Sequence, residues 1–198
     1  MSRATAGTRR GCAPYAMTPC PSSARWARWA IGFALNDLAL ADYQEGNAEA
    51  AAARAAEGAA LFREMRSASG LAEALATRGY ARAAQDDADG ARAALSESLR
   101  LAWAEGPRWL VATDLEGLAT IDAAQGQAER AALLLGAAEH LRFTMGAPLP
   151  PCWRAGYERT MSSVRARLSA AAFESAWAAG RALTQDRAVG EVVAYLGG

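Results

Sequence analysis

The stretch Leu115-Glu-Gly-Leu-Ala-Thr-Ile-Asp-Ala-Ala-Gln-Gly-Gln-Ala-Glu-Arg-Ala131 decides the fold. It pairs two leucines with a small residue, Ala119, then breaks at Gly126 and resumes with Ala131. Shifted by 40 residues along the chain, it meets two further copies of itself. Leu35, Leu75 and Leu115 align, then Ala39, Gly79 and Ala119, then Gly46, Asp86 and Gly126. Ala51, Ala91 and Ala131 form the next column, followed by Leu61, Leu101 and Leu141. Ile31, Leu71 and Val111 line up at the start of the units, and Arg28-Trp29 matches Arg108-Trp109. Six columns at one period define a repeat.

Each unit reads as a helical hairpin. Ile31, Leu35, Leu38 and Tyr43 fall at helical spacing over Trp29–Gln44, and Gly46-Asn47 breaks the pattern with Asn47 placed to cap the next helix. That helix runs from about Ala48 to Arg66. The later units turn at 85–90 and 125–127, and Pro107 stands where a helix begins. The small-residue columns mark where paired helices approach most closely, with leucines filling the space beside them. After Met145, Pro148, Pro150 and Pro151 end the repeat. Three further helices are predicted over about Cys152–Leu168, Ala170–Arg181 and Gln185–Leu196, with Ser169 and Thr184 as caps. The expected fold class is all-α: three 40-residue hairpins over 25–146 and a C-terminal helical cap over 147–198, about nine helices in all.

Composition agrees. The chain has 198 residues, 53 of them alanine, the residue with the best helix propensity. It has no lysine and one histidine, which excludes a P-loop lysine, a Schiff-base lysine and any multi-histidine metal site. Residues 1–24 contain Arg3, Arg9 and Arg10 with no acid, and are rich in Pro, Gly and Ser, so they read as a disordered basic arm. The arm lacks the apolar run of a signal peptide. The mildly acidic body is a poor match for a phosphate backbone, so direct nucleic-acid binding is not expected. No apolar stretch is long enough to span a membrane. Cys12, Cys20 and Cys152 form no CxxC pair, which suits a reducing, cytoplasmic setting.

The order large-x-x-large-small, turn glycine, alanine resembles the tetratricopeptide repeat. Asp86 at one turn and a period of 40 instead of about 34 depart from that pattern. Arg108-Trp109, Leu115–Ala119, Ala124-Gln125-Gly126, Glu129–Glu139, Gly146–Pro151, Tyr157-Glu158-Arg159 and Ala176-Trp177 through Val189 together resemble one tail. It is the C-terminal helical-repeat region of large bacterial signal-transduction ATPases, including LuxR-type transcriptional regulators. The resemblance covers roughly 28–196. It implies a sensory or scaffold role without the ATPase or the DNA-binding domain, in a detached or shortened relative of such a regulator.

The remaining chemical motifs are weak. His140 lies beside Glu139, yet no nucleophile motif accompanies it. Cys12 and Cys20 with His140 make an improbable zinc set. The run 85–90 lacks the first carboxylate and the twelfth-position glutamate of a calcium loop. Neither cofactor nor metal is expected. Trp29, Trp103, Trp109 and Trp177 read as packing residues, Trp153 as less constrained, and Trp26 as apolar surface.

The expected function is therefore a non-catalytic module that binds a protein, a peptide or a small effector in a concave groove, with self-association through the N-terminal face. A fragment with no independent role, or an enzyme using His140, are the alternatives. In the tetratricopeptide family the first helix of each unit lines the groove. Carried onto this chain, its positions are Phe33, Asn36, Leu40, Tyr43 and Gln44, then Glu73, Ala76 and Tyr80, then Thr113, Glu116 and Thr120. Glu73 and Glu116 would favour a basic ligand. Arg92 is expected on the opposite, convex face.

Overall fold

The three turn positions aligned by the 40-residue register share one backbone conformation. Gly46, Asp86 and Gly126 have φ of +85°, +60° and +82°, the left-handed region that glycine enters freely and aspartate tolerates. In each turn the next amide reaches back to the last helical turn. Asn47 donates to the Asp42 carbonyl (2.8 Å), Asp87 to Arg82 (3.0 Å) and Gln127 to Asp122 (2.8 Å). These bonds satisfy carbonyls that a helix end leaves open. Arg66 (φ +54°) and the Ser67 to Phe62 bond build the same turn between two units.

The computed structural model describes residues 23–183 and 190. The helices are α1 (Ser23–Gln44), α2 (Ala48–Glu64), α3 (Ala68–Ala83), α4 (Ala88–Ala104), α5 (Arg108–Ala124), α6 (Ala128–Met145), α7 (Pro151–Arg167) and α8 (Ala170–Ala182). Among the described residues there is no strand, so the fold is all-α. Helix α1 starts ahead of Trp29 and takes in the last two positions assigned to the arm. The disorder expected of 1–22 and, apart from Gly190, the third cap helix, 185–196, lie outside the described residues. Asp87 accepts from Gly90 N at 2.9 Å and Ser169 from Ala172 N at 3.2 Å, so both cap their helices. Asn47 precedes α2 without a capping bond.

Small residues set the spacing. Ala39, Ala51, Ala91, Ala119 and Ala131 are fully buried, and a Cβ on Gly79 would stand 2.5 Å from Leu95 Cγ. The Phe62 ring lies against Gly32 of α1 and Gly70 of α3, where added methyl groups would run into it. Helices α1 to α6 each pack on the next in sequence, and α1, α3, α5 and α7 also touch in turn. Helix α8 breaks this order by lying along α6. Its Gly180 meets the Leu133 backbone, and Gly136 of α6 meets that of Trp177, an approach that leaves no room for a Cβ. No helix among the described residues is long and apolar enough to cross a membrane.

Candidate functional site

Helix α7 lies over the face expected to form the groove. Its Trp153 is buried, with ring centroids 4.4 Å from Tyr80 of α3 and 5.5 Å from Tyr43 of α1. Thr160 of α7 pairs hydroxyl to hydroxyl with Thr120 of α5 at 3.0 Å. The sequence marks Trp153 as less constrained than the other tryptophans, whereas it is the anchor of this contact. Trp29 and Trp109, read as packing residues, are 42% and 38% exposed, with Trp29 packed on Phe33 at 4.3 Å, and Trp103 and Trp177 are half-buried.

The expected groove residues therefore divide. Tyr43, Tyr80 and Thr120 come together with Gly156, Arg159, Thr160 and Ser163 around a cleft of about 220 Å³. Burial, followed by the Glu116 and Tyr43 charges, holds the Tyr80 hydroxyl well above its ordinary range; it donates to the Thr113 carbonyl at 2.7 Å. Thr113 and Ala76 are buried, so neither presents a free surface. Phe33 belongs to a separate aromatic row, 4.3 Å from Trp29 and 4.8 Å from Phe62. Asn36 is buried, and its Oδ1 has no hydrogen-bond partner among the described residues. Leu40 packs on the core, Gln44 is exposed, and Glu73 is half-buried, its carboxyl pushed up by burial and by nearby Asp37.

Glu116 is buried and does not offer the free negative charge expected of it. Arg142 of α6 donates to both of its oxygens, Nε to Oε1 at 2.6 Å and Nη2 to Oε2 at 2.7 Å, and Nη2 also reaches Thr113 Oγ1 at 2.9 Å. Burial pushes the Glu116 carboxyl up against the pull of that guanidinium. The planar fork of arginine suits such two-point binding. The preference for a basic ligand consequently loses its support at Glu116.

This ion pair lines an open pocket of about 480 Å³ together with Glu139, Phe143, Gly146, Pro148, Leu149 and Tyr157. Phe143 is 82% exposed at its rim. Glu139 is held by Arg181 at 3.4 Å. Burial, then the charges of Glu116 and Glu139, push the Tyr157 phenol up to about 12, so it keeps its proton. Among the described residues the Nη1 group of Arg142 makes no hydrogen bond. Arg142 and Tyr157 escaped sequence reasoning. Arg142 had a legible signal, since it interrupts the apolar series Leu135, Ala138, Met145 at inward helical spacing.

Two further polar groups sit inside the helix stack. Asp122 of α5 is buried between Arg92 of α4 (2.8 Å) and Arg130 of α6 (3.1 Å). Asp122 thus ties three helices together, and Arg92, as one of its two partners, is no neutral convex marker. Asp114 is buried 2.9 Å from Ser98 Oγ, which in turn donates to the Ala72 carbonyl at 2.9 Å. Burial holds the Asp114 carboxyl well above the usual range, and the Glu116 charge adds to this. The Ser98 hydroxyl has one proton to share between the Ala72 carbonyl and Asp114, and its bond to Asp114 works against the upward shift. His140 is half-buried on α6. Among the described residues no three His, Cys, Asp or Glu side chains stand close enough to hold a metal ion. Cys12 and Cys20 of the zinc alternative lie outside the described residues.

No protein-family model, curated protein or solved structure matches the chain.

Proposed function

We propose that the chain is a non-catalytic binding module of tetratricopeptide-like hairpins, and that the pocket above Glu116–Arg142 takes a small effector. The shared left-handed turn at Gly46, Asp86 and Gly126 and the successive contacts of α1, α3, α5 and α7 support the repeat reading. The observation that carries the effector reading is the Glu116–Arg142 pair opening into an apolar pocket. Its volume and its few polar groups among apolar walls suit a small molecule. With α7 seated over Tyr43, Tyr80 and Thr120, a long peptide has less of the groove than the sequence suggested. Sensing a small molecule in this way agrees with the sensory role that the regulator resemblance implies.

Charge narrows the ligand. A carboxylate in the pocket faces Glu139, and an ammonium faces the Arg142 guanidinium, which already neutralises Glu116. A neutral molecule with an apolar body and one carbonyl meets neither repulsion, and it supplies an acceptor to Arg142 Nη1. Calorimetric titration with N-methylbenzamide, benzoate and benzylamine tests this order. The amide should bind best, and Leu149→Asp should abolish its binding while leaving helicity intact. Tighter binding of either charged probe, or amide binding indifferent to Leu149→Asp, would remove the proposal.

A further inference from the structure

The outward face of α1 carries Ala27, Ile31, Ala34, Leu38 and Ala41, all exposed. Their spacing of four, three, four and three residues places them in one narrow stripe, the seam pattern of paired helices. Ile31 is 51% and Leu38 52% exposed. The 40-residue register shows what such a stripe does elsewhere in the chain. In α3 the equivalents Leu71, Ala74 and Ala81 are buried, the first two against Ala59 and Phe62 of α2, while Arg78, in the place of Leu38, is half-buried. In α5 the equivalents Val111, Asp114 and Leu118 are buried, with Asp114 on Ser98 of α4. In α1 no described helix covers the stripe.

The stripe is also a palindrome. Read from either end it runs small, large, small, large, small, with Ala34 at its centre. Two copies laid antiparallel about Ala34 set Ala27 of one against Ala41 of the other and bring Ile31 within one residue of the level of Leu38, so the large residues meet and the helices close over the alanines. Charge favours the same direction. Arg25 and Arg28 lie in the first half of α1 and Asp37 and Asp42 in the second. Antiparallel pairing brings the basic half of one helix beside the acidic half of the other, although within the chain Arg25 also donates to the Met65 carbonyl, Arg28 binds Glu64 and Asp42 binds Arg54. A surface that fits its own copy under a two-fold axis is the requirement of an isologous dimer.

We infer that the chain forms a two-fold dimer through antiparallel α1 helices centred on Ala34, with a second copy of itself as the occupant of the stripe. One helix pair covers less than the roughly 800 Å² per partner of a standard interface, so the dimer should dissociate on dilution. It rests on α1 alone and stands or falls separately from the effector pocket.

Sedimentation equilibrium of the full chain over a concentration series, with Ile31→Glu and Leu38→Glu compared, tests it. The chain should pass from monomer to dimer, and each variant should stay monomeric with unchanged helical dichroism. Both sites are exposed in the monomer, so the variants should fold. Direction is read by mixing Ala27→Cys and Ala41→Cys proteins on a background with Cys12, Cys20 and Cys152 changed to Ser. Antiparallel pairing predicts a mixed disulfide between positions 27 and 41. A chain that stays monomeric, a dimer that survives Ile31→Glu, or crosslinks only between like positions would each overturn the inference.

Discussion

Arg142 on α6 and Glu116 on α5 share two parallel hydrogen bonds, 2.6 and 2.7 Å long, in the interior of the helix stack. Removing one partner strands the other as a buried charge, which typically costs about 3–5 kcal/mol. Glu116→Gln and Arg142→Met should each lower stability by an amount of that order. The joint change Glu116→Leu with Arg142→Met should recover most of the loss, because no charge is left behind. Urea unfolding of the three proteins gives the comparison; a double variant as unstable as the two losses combined would contradict it.

Asp114 makes stability depend on pH. Its folded-state carboxyl titrates well above the ordinary value of 3.8, so between those two points the native state holds a proton that the unfolded chain has released. Its contribution is fully favourable below the unfolded pKa and declines as pH rises towards the folded one. Asp114→Asn keeps an oxygen to accept from Ser98 and cannot ionise. It should therefore match the parent in acid and gain on it steadily towards neutrality. Thermal unfolding across that range checks the sign, and a stability difference that shrinks with rising pH would refute it.

The turn column predicts opposite effects from opposite exchanges. Asp86→Gly relieves a side chain held at φ +60° and should stabilise by roughly 0.5–1 kcal/mol. Gly46→Ala and Gly126→Ala impose that conformation on an alanine and should destabilise by about 1 kcal/mol or more. Chemical denaturation of the three variants reads this directly.

Gly79 sets packing against propensity. Alanine gains about 1 kcal/mol over glycine inside a helix, but its Cβ would stand 2.5 Å from Leu95 Cγ. Overpacking of this kind costs about 1–3 kcal/mol, so Gly79→Ala should be neutral to destabilising, and Gly79→Leu clearly worse. A higher melting temperature for Gly79→Ala would show that α3 and α4 have room to part.

The helices and their turns were legible because they depend on local spacing: Gly46, Asp86 and Gly126 announce a break at one interval, and the alanine columns announce close crossings. Helix α1 was cut short because Arg25, Trp26 and Arg28 give no clear apolar face, and they are indeed exposed on it. The placement of α7 was not legible. Nothing local to Trp153 says that it will meet Tyr80 and Tyr43, since that contact joins segments far apart in sequence. Glu116 stands out through the groove positions that the tetratricopeptide resemblance implies, but its meaning changes once Arg142, on another helix, neutralises it. The buried Asp114 and Asp122 follow the same rule: an inward polar residue is visible in the apolar pattern, and its partner is visible only in three dimensions.

The effector pocket is tested most directly by mapping N-methylbenzamide onto the backbone amides of the ¹⁵N-labelled chain. The same titration is then repeated on the Glu116→Leu, Arg142→Met double variant. Saturable shifts should cluster at Glu139, Arg142, Phe143, Gly146, Leu149 and Tyr157 in the parent and disappear in the double variant with the Arg142 donor gone. Shifts centred on the Tyr43–Thr120 cleft or on the α6–α8 surface, or an undiminished response in the double variant, would contradict the account.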